Sequence, residues 1–184
     1  MRLKPSSYLI LGMLRGGVET GYAIKRAVDR STRFFWAASL AQVYPELAAL
    51  EEDGYVVSSD EPRGARPRRT YRLTAKGKSA LDEWLRSPRP PGFEFRDEGM
   101  LRLFFADALP AHEAVALVKR LRERAEEIDR EFREQILPLA EVAPEQGFRF
   151  PLVAARWGAD YNAWRARWLS KLESELSGEK AKRR

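Results

Sequence analysis

The spacing of apolar residues over the first half of the chain predicts three helices in succession. Residues 5–15 are predicted to form an apolar helix, and a proline begins the stretch, where its missing N–H is not needed. Thr20 is expected to cap a second helix. A third helix is predicted to open at Ser39, because Gln42 follows three residues later as in a capping box, and to close at Gly54.

A short hairpin and a fourth helix complete this first module. Residues 55–57 and 71–73 predict two strands, and the segment 61–70 between them is rich in turn-forming residues. Thr74 is then expected to cap a helix. Three helices followed by a two-stranded wing is the order of a winged helix-turn-helix. We therefore predict a mainly α protein whose first module has this α+β fold.

Three prolines within residues 87–92 cannot continue a helix and mark the start of a second, wholly helical module. The predicted helices of this module cover residues 97–109, 111–137 and 152–176. Pro138 and Pro144 are expected to end the second of them. The pattern therefore predicts two domains, residues 1–88 and residues 93–178.

Apolar residues in the long helix of the second module alternate spacings of four and three, which is a heptad seam that requires a partner helix. An aromatic stripe at helical spacing runs along the last helix, and large aromatic residues are common in interfaces. We predict a homodimer through these surfaces, with interface residues Val118, Leu121, Ile128, Phe132, Tyr161, Trp164 and Trp168. A second interpretation, compatible with the first, is that Trp157, Tyr161 and Trp164 line a pocket for a planar aromatic effector.

Composition narrows the classes of function. The 184 residues contain no cysteine and a single histidine. There is thus no thiolate for a disulfide or a metal, and little for acid–base catalysis, so we expect neither an enzyme nor a bound metal or other cofactor. No apolar run is long enough for a membrane span, and the N-terminus does not resemble a signal peptide. We expect a cytoplasmic protein without a membrane partner.

The formal charge of +6 arises entirely in the first module. Residues 1–90 contain 16 Lys and Arg against 10 Asp and Glu, whereas residues 91–184 contain 17 of each. Five arginines concentrate in and after the predicted turn of the wing: Arg63, Arg66, Arg68, Arg69 and Arg72. Guanidinium groups this close repel one another, so a DNA backbone or a narrow minor groove is the expected partner. A solubilising charged loop is the alternative.

The third helix has the pattern of a recognition helix. Val43, Leu47 and Leu50 are expected to face the core, and small residues occupy the opposite face: Ala38, Ala41, Pro45 and Ala48. Small side chains let a helix approach the floor of the major groove, and Gln42 can pair with adenine. The alternative is an ordinary amphipathic helix with an alanine surface. The predicted DNA contacts are Lys4, Ser6, Lys25, Ser39, Gln42, Tyr44, Arg63, Arg66, Arg68 and Arg69.

Three segments of the first module resemble the PadR family of bacterial transcriptional regulators. They are LGMLRGGVETGYAIKR, SLAQVYPELAALEEDGYV and PRRTYRLTAKGKSAL, and the match covers residues 5–85. The proline inside the third helix is a trait of that family. The segment WGADYNAWRARWLSKLE resembles the last helix of family members with a long C-terminal domain.

The resemblance implies a homodimer held by its C-terminal helices that binds a palindromic operator, usually as a repressor. Some members of the longer group are similar instead to activators of virulence genes, and in several members a small aromatic ligand releases DNA. We therefore expect double-stranded DNA, a second copy of the chain and a small aromatic ligand as partners. The alternatives are an activator of the same family and a winged-helix adaptor that binds proteins without reading DNA.

Overall fold

The computed structural model describes residues 3–61, 68–92, 96–147 and 149–182, and side chains are not described for residues 61, 68, 146 and 179–182. The chain divides into two compact units, residues 1–92 and 93–184. The elements of the first unit are α1 (Pro5–Arg15), α2 (Gly21–Asp29), a 3₁₀ turn (Thr32–Phe34), α3 (Leu40–Glu52), β1 (Val56–Glu61), β2 (Arg68–Leu73) and α4 (Ala75–Arg86). This is the predicted winged helix-turn-helix.

The core of the first unit lies where α1, α2 and α3 meet. Leu11, Ile24 and Leu47 are fully buried, and Val43 and Leu50 join them from α3. The predicted inner face of α3 is therefore confirmed. Burial of each such side chain contributes about 1.5–3 kcal/mol to stability, so α3 is held by its own apolar stripe.

Side-chain caps fix where the helices begin. The hydroxyl of Thr20 accepts a hydrogen bond from the backbone N–H of Ala23 at 3.1 Å, and the hydroxyl of Thr74 accepts one from Gly77 at the same distance. Both predicted caps are thus confirmed. An uncapped end leaves backbone donors unsatisfied, which typically costs about 1 kcal/mol.

The two wing strands are longer than the apolar pattern predicts. They pair antiparallel from Val56 with Leu73 out to Glu61 with Arg68. The outer half contains mainly polar residues, and the hydroxyls of Ser59 and Thr70 are hydrogen-bonded at 2.9 Å. Backbone pairing and such cross-strand bonds extend a hairpin without any apolar signal.

The second unit consists of helices, as predicted, with different bounds. Its elements are α5 (Glu98–Phe104), a 3₁₀ turn (Ala106–Ala108), α6 (Ala111–Glu131), a π turn (Phe132–Ile136), α7 (Leu137–Glu141), a 3₁₀ turn (Pro144–Gln146) and α8 (Arg149–Lys182). The prediction that Pro138 ends the long helix is wrong. The wider π turn before it relieves the clash that a proline ring makes with the preceding helical turn.

The heptad seam of α6 packs against α8 of the same chain. Val118 and Ala125 pack with Leu169 of α8, and all three are buried. At the end of α6 the ring of Phe132 lies over Gly158, where a Cβ would come within 2.4 Å of the ring. The predicted dimer contacts Val118 and Phe132 are therefore corrected, because they are 0% and 2% exposed in the single chain and present no surface to a partner.

Two ion pairs join the helices of the second unit. Arg165 of α8 contacts Asp97 at 2.6 Å, and Asp97 also caps α5. Arg122 of α6 donates a hydrogen bond to Glu173 of α8 at 2.7 Å. This bond, followed by the one that Arg122 donates to Glu126, raises the pKa of Arg122. Among the described residues, no helix is both long and apolar enough to cross a membrane.

Candidate nucleic-acid interface

Helix α3 presents an outward face of small side chains. Ala41, Gln42, Pro45 and Ala48 are all exposed along it. The predicted member Ala38 is corrected, because it precedes the helix and packs against the core. A backbone surfaced in this way meets no side-chain obstruction when it approaches the edges of base pairs.

The contact between α2 and α3 depends on a glycine. A Cβ on Gly21 would lie 2.6 Å from the ring of Tyr44, so the two helices approach closely at this point. Tyr44 remains 48% exposed beside the outward face of α3. Its predicted role as a DNA contact is therefore compatible with its position, and it stays a prediction.

The N-terminus of α3 is closed by Ser39 and Gln42. The backbone N–H of Ser39 donates to Oε1 of Gln42 at 2.9 Å, which is one half of the predicted capping box. The hydroxyl of Ser39 lies 3.2 Å from the same atom. An adenine contact by Gln42 requires an amide oxygen and an amide nitrogen together. Gln42 must therefore share Oε1 between the cap and the base, or open the cap.

The two acidic side chains of α3 nearest this face are turned toward the protein. The buried hydroxyl of Ser7, on α1, donates to the carboxylate of Glu46. Glu51 accepts a hydrogen bond from the hydroxyl of Ser58 at 2.5 Å. This bond, and then the charge of Arg69, hold the pKa of Glu51 below its usual value. Between Asp29 and Glu46 the sequence contains no acid, so the N-terminal half of α3 carries no negative side chain.

Two wing arginines are paired with the protein's own carboxylates. Arg69 contacts Glu51 at 2.7 Å, and Arg72 contacts Glu19 at 3.4 Å. The contact of Arg69 with DNA stays a prediction, and it requires the guanidinium to leave Glu51 of α3. Arg63 and Arg66 lie outside the described residues, and for Arg68 only the backbone is described, where it pairs with Glu61.

The remaining predicted contacts lie on α1 and α2. Lys4 is exposed just before α1, and Ser6 is partly exposed in its first turn. Lys25 forms an ion pair with Asp29 one turn along α2. Such exposed pairs contribute only about 0.3–0.5 kcal/mol, so a phosphate can replace the carboxylate. All three contacts stay predictions.

Aromatic side chains beside α3 were not predicted as part of the site. Tyr22, Phe35 and Trp36 are 60%, 53% and 43% exposed. The guanidinium of Arg33 lies 4.5 Å from the centre of the Phe34 ring. The available signal was the run RFFW directly before α3, but it falls between helices, where periodicity carries no information.

The aromatic stripe of α8 lies on the surface of the second unit. Trp157, Trp164 and Trp168 are 59%, 53% and 40% exposed. Trp157 and Tyr161 stack with centroids 5.7 Å apart and an interplanar angle of 7°. Burial raises the pKa of Tyr161. Leu121 and Ile128 are partly exposed on α6, so five of the seven predicted interface residues retain surface.

Metal ligands and concave surfaces were sought in the described part of the chain. No group of three or more His, Asp or Glu side chains there could hold a metal ion. A shallow depression between α6 and α8, of about 400 Å³, is lined by Glu126, Ala166, Arg167, Ser170, Lys171 and Ser174. None of the residues predicted for an effector pocket is among them.

Residues 10–83 match the family described as "Transcriptional regulator PadR-like family", and residues 95–177 match "Virulence activator alpha C-term". Over 113 residues the chain is 35% identical to the negative transcriptional regulator PadR of Bacillus subtilis. That alignment covers 61% of this chain and 62% of that relative, so the chain spans about three fifths of its length.

Solved structures agree with these matches. The crystal structure of Bacillus subtilis PadR in complex with operator DNA has a TM-score of 0.80 and 27% identity, covering 94% of this chain and 99% of that chain. The crystal structure of Bacillus subtilis PadR in complex with p-coumaric acid has a TM-score of 0.71 and 27% identity, covering 93% of this chain and 98% of that chain. The Vibrio cholerae virulence activator AphA has a TM-score of 0.72 and 26% identity, covering 94% and 98%.

Proposed function

Because the chain belongs to the PadR-like family of transcriptional regulators, which are not enzymes, we propose that it is a homodimeric repressor that binds a palindromic operator. The observation that carries this proposal is the outward face of α3. Small side chains are exposed on this face, and Glu46 is the first acidic residue of the helix. The similarity to the PadR–operator complex, which covers 94% of this chain, supports DNA as the partner.

Two copies of α3 enter successive major grooves about 34–36 Å apart in this proposal. Ser39, Gln42 and Tyr44 then lie nearest the bases. Lys4, Ser6 and Lys25 contact the DNA backbone, as do Arg63, Arg66 and Arg68 of the wing. Phosphate contacts supply affinity for any duplex, and base contacts supply preference for one sequence.

The dimer forms through the surface that the second unit leaves uncovered. Large exposed apolar patches mark interaction sites in soluble proteins. The exposed faces of Trp164 and Trp168 supply such a patch, together with Tyr161, Leu121 and Ile128. A small aromatic effector is proposed to stack on Trp157, Tyr161 and Trp164, and the p-coumaric acid complex of a relative supports this ligand class. Sedimentation of the purified protein should give twice the chain mass, and a monomer at micromolar concentration would contradict this part.

Binding to fragments selected from genomic DNA, measured by gel shift at several salt concentrations, tests the function. Arg68→Ala should weaken binding to all sequences and lower the salt slope by about one unit per protomer. Gln42→Ala should instead relax preference at one operator position, at a cost of about 1–3 kcal/mol. Arg124→Ala removes an arginine of α6 that pairs with Glu127 at 3.0 Å, and it should leave the slope unchanged. Salt-independent binding, or no selected fragment, would refute the proposal.

An activator is the second candidate. The match of residues 95–177 to "Virulence activator alpha C-term", and the similarity to AphA, favour it. Both candidates share the DNA face, so the gel shift does not separate them. Transcription in vitro from a template that carries the selected fragment does, because a repressor lowers the yield and an activator raises it.

A further inference from the structure

Helix α3 and the wing are joined by a cluster of three side chains, Glu51, Ser58 and Arg69, which we call the wing clasp. One carboxylate oxygen of Glu51 accepts from Ser58 at 2.5 Å, and the other accepts from Nη2 of Arg69 at 2.7 Å. Nε of Arg69 donates to the Ser58 hydroxyl at 3.1 Å. Each member thus contacts both others, and the ring closes between the C-terminal turn of α3 and both strands.

A further contact holds the guanidinium of Arg69 in place. The ring of Tyr71 lies 5.7 Å from the guanidinium carbon, within the range of a cation–π interaction. Electrostatic interactions with Tyr71 and then with Glu51 raise the pKa of Arg69. An isolated surface ion pair contributes little, but a guanidinium with a carboxylate, a hydroxyl and an aromatic face loses several partners together if it leaves.

The wing clasp pairs the positive charge of Arg69 with Glu51, on a wing that is rich in arginine. Residues 62–73 contain five arginines and no acid. Each lysine or arginine that neutralises a phosphate raises affinity for any duplex, whatever its sequence. A regulator that must leave nonoperator DNA benefits from limiting such contacts, because nonspecific sites compete with the operator.

We propose that Glu51 is a positioning residue that restrains sequence-independent DNA binding by holding Arg69 against α3. This inference rests on the proposed DNA-binding function and deepens it. Removal of Arg69 then leaves nonspecific affinity unchanged, in contrast to removal of Arg68.

Glu51→Gln is the decisive variant. The amide keeps the shape of the side chain and an oxygen for Ser58, but it presents no negative charge to Arg69. The released guanidinium can reach phosphates, so affinity for a 30-bp duplex of random sequence should rise about three- to tenfold near 100 mM salt. The slope of log affinity against log salt should steepen by about one unit per protomer.

Glu52→Gln is the matched control. Glu52 is the exposed last residue of α3, and the substitution removes the same charge one position away. It should change affinity less than twofold. Arg69→Ala should bind the random duplex as the wild type does, and Glu51→Gln/Arg69→Ala should lose the gain. Ser58→Ala, which opens the clasp at its third member, should show part of the gain, and thermal melts will verify that each variant is folded.

Fluorescence anisotropy of the full chain with the labelled duplex gives all these values. Equal affinities for Glu51→Gln and Glu52→Gln would overturn the inference and leave the proposed function intact. A fall of about one unit per protomer in the salt slope for Arg69→Ala would also overturn it, since Arg69 would then contact phosphate directly. Absence of wild-type binding at 50 mM salt would refute the proposed function and this inference with it.

Discussion

Gly77, in the first turn of α4, offers the sharpest test of how the wing is anchored. A Cβ at this position would lie 2.1 Å from the carbonyl oxygen of Tyr55, which is backbone and cannot rotate away. The same oxygen accepts from the N–H and the hydroxyl of Thr74, both at 3.1 Å. Gly77→Ala therefore displaces the junction between β1 and α4 and disrupts both hydrogen bonds.

The magnitude follows from three contributions. Overpacking costs about 1–3 kcal/mol, and two weakened hydrogen bonds cost about 1 kcal/mol each. Replacing a helical glycine with alanine contributes about 0.5–1 kcal/mol in favour of the variant. The net destabilisation is about 2–4 kcal/mol, which lowers the melting temperature of the first unit by roughly 10–20 °C.

Differential scanning calorimetry of the full chain measures this shift. Gly12→Ala is the control, because Gly12 lies in α1 with nothing within 4 Å of its Cβ position. That variant should retain or slightly raise the melting temperature. If the Gly77→Ala and Gly12→Ala variants have the same melting temperature, the proposed anchoring of the wing by close backbone contact is refuted.

Three further substitutions test separate contacts. Ser7→Ala should destabilise the first unit by about 1–3 kcal/mol, because it removes a donor from a partly buried carboxylate, whereas Ser6→Ala should cost less than about 0.5 kcal/mol in the same urea titration. The lowered pKa of Glu51 predicts that stability gained through its charged form is present above the unfolded pKa of 4.5 and is lost as the pH falls below it. The stability difference between wild type and Glu51→Gln should therefore be constant near neutral pH and shrink below pH 4.5, and a difference independent of pH would contradict this. Gly158→Ala should destabilise the second unit by about 1–3 kcal/mol through its clash with the Phe132 ring, and Phe132→Leu in the same chain should restore part of the loss, as followed by calorimetry. Equal melting temperatures for Gly158→Ala and for the double variant with Phe132→Leu would contradict the clash as the cause.

Local patterns predicted most of the first unit. The caps at Thr20 and Thr74 depend on residues three positions away, and the buried stripe of α3 depends on helical spacing alone. Short-range chemistry of this kind is readable without a structure. The outward face of α3 followed from the same periodicity.

Contacts between residues far apart in the chain were the ones missed. Arg69 meets Glu51 because the hairpin register places β2 beside the end of α3, and no local pattern specifies that register. Phe132 is buried because Gly158, far along the chain on α8, leaves space for its ring. The periodicity of α6 correctly required a partner helix, but it did not specify whether that helix belongs to the same chain.

The π turn between α6 and α7 sets the rotational phase of everything that follows it. Buried positions upstream recur every seven residues, at Val118, Ala125 and Phe132, and downstream every four, at Ile136 and Ala140. In an uninterrupted α-helix, the eight residues from Phe132 to Ala140 rotate the side-chain direction by about 80° beyond two full turns. Ala140 would then lie off the buried side. A one-residue deletion inside this segment would place Ala140 seven residues after Phe132, which in an uninterrupted α-helix is within about 20° of the same side. The segment should therefore accept such a deletion as a plain α-helical turn that keeps α7 in phase.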